Sequence, residues 1–182
     1  VENIEIGVRN LILQGGAYRE IPANKDGWIH YTLSEPLKPN VTYRFIAETL
    51  QLPTSADKGI KLLNKVGGDN NNFRGLITLG SYFTTPYDDV VAVAFTKNYT
   101  TDTESLIAQN VAIYEGNKCP DKFMEAPEDV QANIDDAKQE ALSAASDAQS
   151  TADSLKNFTD TAFRDGIIDR SESVAIEKYK NS

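Results

Sequence analysis

The sequence contains few of the residues that metal sites and nucleophilic enzymes need. Cys119 is its single cysteine and His30 its single histidine. One cysteine excludes an internal disulfide, and the two residues together supply too few ligands for a structural zinc site. We therefore predict no metal and no cofactor, and a chain assembled in a reducing compartment such as the bacterial cytoplasm.

The usual motifs of catalysis are also missing. His30 would have to act as the base, yet it lies beside Trp28 in an alternating stretch with no nucleophile motif nearby. Gly67 and Gly68 precede an acid and three asparagines, without the lysine of a phosphate-binding loop. We predict no catalytic residues and no enzyme. A carboxylate pair for glycan hydrolysis is kept as a third alternative because acids are abundant.

Basic charge and long apolar runs are scarce. The chain has 18 Lys and Arg against 27 Asp and Glu, a net charge of −9, which repels the phosphates of nucleic acids. No apolar run reaches the length that crosses a bilayer. We therefore predict no nucleic-acid partner and no membrane. The sequence begins at Val1 rather than methionine, so we expect a piece of a longer parent with regions missing at both ends.

The composition divides the chain near Pro127. Up to this position, short stretches alternate apolar and polar residues between turn signals, which is typical of many short strands. These stretches are 4–8, 29–33, 41–45, 75–84, 90–95 and 106–114. The pattern predicts a mainly β fold, an antiparallel β-sandwich over residues 1–125. Residues 58–66 fit either a short helix or a strand.

After Pro127 the apolar spacing changes to heptads. Steps of four and three residues alternate, as in a coiled-coil seam. The seam positions are Val130, Ile134, Ala137, Ala141, Ala144, Ala148, Thr151, Leu155 and Phe158. We predict an alanine-rich helical stalk over 126–160, helical from Glu128 to about Phe158. Two arrangements stay open: packing against copies of itself in the full-length parent, or a surface helix packed on its own sandwich.

Residues 161–182 predict a short helix-turn-helix fragment that continues into the missing C-terminal region. The stretch 163–172 is similar to the back half of an EF-hand calcium loop, but Phe163 would occupy a ligand position and cannot ligate. A tight turn at Asp165-Gly166, followed by a capped helix, is therefore favoured.

Four phrases in this order resemble phage minor tail and baseplate proteins, including tail-lysin and receptor-binding chains. The phrases are Gly7-Val8-Arg9-Asn10-Leu11-Ile12, Leu37-Lys38-Pro39-Asn40-Val41-Thr42-Tyr43, Glu115-Gly116-Asn117 with Ala126-Pro127-Glu128-Asp129, and the 163–172 stretch. The resemblance covers nearly the whole chain. One departure is that Phe123-Met124 stands where the family usually has a tryptophan.

The resemblance implies a fold, a location and partners. It implies a jelly-roll module of the galactose-binding, carbohydrate-binding type in the tail of a phage or prophage virion. The implied partners are a host cell-surface polysaccharide, other tail or baseplate subunits and, in the full-length parent, further copies of the chain in a trimer. A purely structural spacer that binds no ligand is the alternative.

Sugar binding needs an aromatic platform for the apolar face of a pyranose and polar side chains for its hydroxyls. Six residues of these kinds are the candidate glycan ligands: Trp28, Tyr18, Tyr87, Tyr99, Asn71 and Asp88. Trp28 lies within a predicted strand, where a core position is the alternative. For each tyrosine the alternative is a half-buried aromatic at the end of a strand.

The heptad seam generates a prediction on self-association. Five of its nine positions are Ala or Thr, so each turn buries little apolar area at about 25 cal/mol per Å², against an association cost of roughly 4–15 kcal/mol. We expect the chain to be largely monomeric at micromolar concentration. Sedimentation of a variant with Ala141→Leu and Ala148→Leu should show stronger self-association. A variant that stays helical and monomeric would place the seam against its own sandwich.

Overall fold

The computed structural model describes residues 9–54, 59–97 and 103–164. This part of the chain contains eight strands, one 3₁₀ turn at Asn70–Asn72 and one long helix. The strands are β1 (Arg19–Ile21), β2 (Gly27–Thr32), β3 (Tyr43–Gln51), β4 (Ile60–Leu63), β5 (Phe73–Ile77), β6 (Tyr82–Phe83), β7 (Ala92–Lys97) and β8 (Leu106–Glu115), and the helix is α1 (Pro127–Arg164).

The strands form two antiparallel sheets of four strands each. The first sheet has the order β1-β8-β3-β6 and the second the order β2-β7-β4-β5. The first four strands therefore fold back on the last four, pairing β1 with β8, β2 with β7, β3 with β6 and β4 with β5. This is the pairing of an eight-stranded jelly roll. The prediction of a β-sandwich followed by a long helix is confirmed, and the ambiguous segment 58–66 contains strand β4.

The core lies between the two sheets and follows the two-residue period of the strands. In β2, Ile29 and Tyr31 are buried in the core, whereas Trp28 packs on the other face of the sheet. The ring of Tyr31 meets Phe95 edge-on, with centroids 6.1 Å apart. Alternation along the sequence therefore places one set of side chains in the core and the other on the outer face of each sheet.

The outer face of the first sheet is covered by the segment after β8. Its buried residues are Ile46, Ala112 and Tyr114, with Cys119 and Phe123 packed against them. The hydroxyl of Tyr114 donates to the Lys122 carbonyl and accepts from the Met124 N–H, each at 2.8 Å. One buried phenol thus fixes the segment that leads into the helix.

The side chain of Asn10 joins three parts of the sandwich unit. Its Oδ1 accepts hydrogen bonds from the backbone N–H of Ile12 at 2.9 Å and of Ile113 at 3.1 Å. Its Nδ2 donates to the Met124 carbonyl at 2.9 Å. Because Asn10 is completely buried, these bonds satisfy polar groups that water does not reach. The first of the four sequence phrases therefore contains a residue with a structural role, Asn10.

The second of the four sequence phrases, residues 37–43, forms the turn that leads into β3. The Tyr43 hydroxyl accepts a hydrogen bond from the Lys38 N–H at 2.8 Å, across the turn. Asn40 adopts a left-handed conformation, with φ of 59°, which asparagine tolerates better than most residues. Its N–H donates to the Thr85 carbonyl at 2.7 Å, so the turn is attached to the connection between β6 and β7.

Helix α1 starts at Pro127, a residue suited to a first helical turn because that turn needs no N–H donor there. Arg9 pairs with Glu128, and Asp129 accepts from the backbone N–H of Gln14. The chain divides into two compact units, Val1–Ala132 and Asn133–Ser182. The first turn of α1 thus belongs to the sandwich unit and is bonded to it.

The rest of α1 exposes its apolar side chains. It continues past the predicted end at Phe158 to Arg164, the last of the described residues. Phe158 is 73% exposed, and Leu142, outside the seam, is exposed as well. In the part of the chain that the structure describes, no helix combines the length and apolar character needed to span a bilayer. The predicted strand at 4–8 and the turn and helix after Arg164 lie outside the described residues.

Replacement of Asn10 with alanine should destabilise the sandwich. The change leaves the buried N–H groups of Ile12 and Ile113 without an acceptor, and an unsatisfied buried group costs about 1–3 kcal/mol. Urea unfolding followed by Trp28 fluorescence should show a loss of roughly 2–5 kcal/mol. Asn71→Ala, in an exposed turn, is the matched control and should change stability by less than about 0.5 kcal/mol. Equal unfolding midpoints for the two variants would contradict this role of Asn10.

Candidate functional site

Residues 64–72, between β4 and β5, form a compact loop on the outer face of the second sheet. Asp69 caps the start of the 3₁₀ turn in this loop with a capping box. The Asp69 carboxylate accepts a hydrogen bond from the backbone N–H of Asn71 at 2.8 Å, and the backbone N–H of Asp69 donates to Asn72 Oδ1 at 3.3 Å. The N–H of Asn64 donates to the Asn72 carbonyl at 3.0 Å and joins the ends of the loop. The asparagine run therefore organises the 64–72 loop itself.

Side chains from β2 and β4 hold this loop on the sheet. His30 Nε2 donates to the Gly68 carbonyl at 2.6 Å, and Lys61 Nζ donates to Asn70 Oδ1 at 2.8 Å. The Trp28 ring stacks on His30 with centroids 5.6 Å apart, and the Lys61 ammonium lies 4.8 Å from the Trp28 centroid. A sugar placed on Trp28 would compete with Lys61 for the ring.

Apolar residues of the second sheet are buried beneath this arrangement. They are Leu63, Ala92 and Ala94, with Trp28 packed against them. The small alanines of β7 leave room for the large ring of Trp28 beside them. Trp28 is thus half-buried in an outer cluster and is separate from the main core.

Strand β5 and the turn before β7 meet through an ion pair. Arg74 Nε donates to Asp89 Oδ1 at 2.9 Å and Arg74 Nη2 donates to Asp89 Oδ2 at 2.7 Å, a two-pronged geometry that fixes both side chains. Asn64 Nδ2 also donates to Asp89 Oδ2, at 3.2 Å. Asp89 therefore links the start of the 64–72 loop and strand β5 to the neighbouring turn.

The Tyr87 ring is positioned by this ion pair. The guanidinium carbon of Arg74 lies over the ring, 5.1 Å from its centroid. The backbone N–H of Tyr87 donates to Thr85 Oγ1 at 3.2 Å, so the turn that carries the ring is also held. Tyr87 is nevertheless 44% exposed. The result is a supported aromatic ring that faces solvent.

The structure brings four of the six predicted glycan ligands to the 64–72 loop and its contacts. Asn71 lies in the loop, Trp28 beneath it, and Tyr87 and Asp88 in the turn that Asp89 joins to it. Asn71 and Asp88 are exposed, and their side chains have no hydrogen-bond or ion-pair partner among the described residues. The remaining two candidates are elsewhere: Tyr18, next to β1 of the first sheet, hydrogen-bonds to Glu20, and Tyr99 lies outside the described residues.

Sequence reasoning missed the arginine that lies over this ring and the aromatic residue that precedes it in the chain. Arg74 was not identified, and neither was Phe73, the exposed aromatic beside it. A pattern search could have marked Arg74 as a cation in an otherwise apolar stretch, but its partner Asp89 is fifteen positions away. Only the packing of β4 between β5 and β7 determines that pairing.

These groups combine an exposed aromatic ring with polar side chains. Tyr87 supplies a flat apolar surface, while Asp88 and Asn71 supply hydrogen-bonding groups for hydroxyls. His30, the single histidine, is committed to the Gly68 carbonyl. Within the described ranges, no group of three or more His, Cys, Asp or Glu side chains could hold a metal ion.

A separate apolar cleft of about 390 Å³ opens at one end of the sandwich. It is lined by Leu50, Leu52, Gly59, Ile60, Ile77, Thr78 and Leu79. Thr78 is the single polar side chain among the described residues that line it, whereas a sugar carries several hydroxyls that need partners. The cleft therefore fits a glycan less well than the surface at Tyr87 does.

Comparison with known proteins gives no relative to which this site could be matched. No family model, no curated protein and no solved structure matches the chain.

Removal of Arg74 should raise the pKa of the Asp89 carboxyl group. The hydrogen bonds from Arg74, and then that from Asn64, hold this pKa below its ordinary value. The stabilisation is therefore fully present above the ordinary carboxyl pKa of about 3.9 and is lost as the pH falls through the lowered folded-state value. Carboxyl NMR titration, with Asp89→Asn to assign the signal, should show a higher pKa in Arg74→Met. An unchanged pKa would mean that the pair does not form in solution.

Proposed function

We propose that this sandwich is a non-catalytic module that binds host-surface glycan in a phage or prophage tail, with Tyr87 as its stacking platform. One observation carries the proposal: Arg74 lies over the Tyr87 ring and is itself held by Asp89, while the ring stays 44% exposed. Exposed aromatic side chains that are fixed in place suit the apolar face of a pyranose ring.

The restraint on Tyr87 favours binding for an energetic reason. Ordering a mobile side chain on binding costs about 0.5–1.5 kcal/mol. Because Arg74 and Thr85 already restrict this turn and its ring, less of that cost falls on the ligand. The polar groups of Asp88 and Asn71 are then available for hydroxyls.

The helix supports the proposed location and the proposed assembly. A 38-residue helix whose side chains are largely exposed needs another surface to cover its heptad seam. We propose that the seam packs against copies of the chain, as a trimer in the full-length parent, and that other tail or baseplate subunits adjoin it. In this account the protein is made in the bacterial cytoplasm and acts in the virion.

A structural spacer is the second candidate, and one observation favours it. Most polar groups of the 64–72 loop are engaged within the protein: Asp69 and Asn72 bond to each other, and Asn70 bonds to Lys61. A loop that only covers the sheet would show the same bonds. The two candidates differ in what they require of Tyr87, because a spacer needs no exposed ring.

Replacement of Tyr87 with alanine should weaken glycan binding by roughly tenfold or more, since an aromatic contact contributes about 0.5–1.5 kcal/mol beyond its area. The measurement is a glycan array of bacterial surface polysaccharides, followed by titration of the positive glycans. Tyr87→Phe keeps the ring and should retain most of the binding. Tyr18→Ala removes an equally accessible tyrosine from the other sheet and should have no effect.

Two results would contradict the proposal. A wild-type protein without saturable binding to any glycan would favour the spacer. Binding that survives Tyr87→Ala, or that falls equally in Tyr18→Ala, would place the site elsewhere.

A further inference from the structure

We infer that the surface at Tyr87 selects uncharged sugar units over anionic ones, with Asp88 as the residue that determines this specificity. The inference rests on the proposed function, because it concerns the ligand of the same surface. It follows from how the charges around the ring are paired.

The cation that lies over the ring is already paired with an acid. Both prongs of the Arg74 guanidinium are taken by Asp89, at 2.9 and 2.7 Å. An anion that drew Arg74 away from Asp89 would also remove Arg74 from the Tyr87 ring. The side chain that supports the ring is thus already neutralised.

The charged residue that directly follows Tyr87 in the chain is negative. Asp88 is exposed, next in sequence to Tyr87, and pairs with no cation among the described residues. The loop, the strands beside it and the turn contribute Lys61, Lys65 and Arg74 against Asp69, Asp88 and Asp89, so bases and acids are equal in number here, and Asp88 is the one next in sequence to Tyr87. Charges interact over roughly 8 Å at physiological salt, so the Asp88 carboxylate would repel a sulfate, phosphate or carboxylate bound close to it.

The same carboxylate suits an uncharged sugar. An ionised carboxylate accepts hydrogen bonds through two oxygens, and hydrogen bonds to a charged acceptor are stronger than those between neutral groups. Two hydroxyls on adjacent carbons of a pyranose present donors to such a group. Asp88 would therefore bind neutral hexose units and repel anionic ones.

The test compares matched oligosaccharides on the intact chain. The probes are neutral hexose and N-acetylhexosamine oligosaccharides from the array and the same backbones carrying sulfate. The wild type should bind the neutral member of a pair at least about tenfold more tightly. The Asp88→Asn variant should bind neutral probes about tenfold more weakly, and the ratio of its affinities for neutral and sulfated probes should fall. Glu104→Gln removes an exposed acid just before β8 of the other sheet, and it should leave the preference unchanged.

The outcomes separate this inference from the proposed function. Binding that requires Tyr87 but favours sulfated probes would overturn the inference and leave glycan binding in place. An unchanged preference in a folded Asp88→Asn variant, checked by circular dichroism, would also overturn it. Absence of binding to either probe class would overturn both.

Discussion

Both sheets of this sandwich carry apolar side chains on the face that points away from the core, and the rest of the structure depends on covering them. These outer-face side chains are Ile46, Ala112 and Tyr114 on the first sheet and Leu63, Ala92 and Ala94 on the second. Each set is completely or almost completely buried. Leaving them in water would forfeit roughly 25 cal/mol for each Å² of apolar surface. Two loops therefore act as further layers of the fold.

The covering of the second sheet also builds the candidate site. The 64–72 loop is held on the second sheet by His30 and Lys61, and its two ends are joined through Asn64 and Asn72. The bonds of Asp89 to Asn64 and Arg74 then attach the neighbouring turn to this loop. The turn that carries Tyr87 is thus held in place by bonds to the same loop that lies on the apolar face of the sheet.

The sequence predicted much of the fold, and particular residues show why the rest escaped it. Alternation predicted β2 because its residues divide between the core and the outer face, with Ile29 on one side and Trp28 on the other. Strand β4 stayed ambiguous because all four of its residues are buried, Lys61 included. A run buried on both faces has no period to detect. Tyr87 and Asp88 could be proposed from loop chemistry, but the support from Arg74 depends on which strands are neighbours.

The most direct test of this account is a map of where a glycan contacts the protein. An ¹⁵N-labelled chain would be titrated with soluble neutral oligosaccharides while backbone amide signals are followed. The account predicts saturable changes in amide chemical shift that are confined to two segments. These are residues 64–74, which comprise the covering loop and the start of β5, and residues 85–89, the turn bonded to them. Shifts centred on Tyr18 and β1, on the segment after β8, or nowhere in the chain would contradict it.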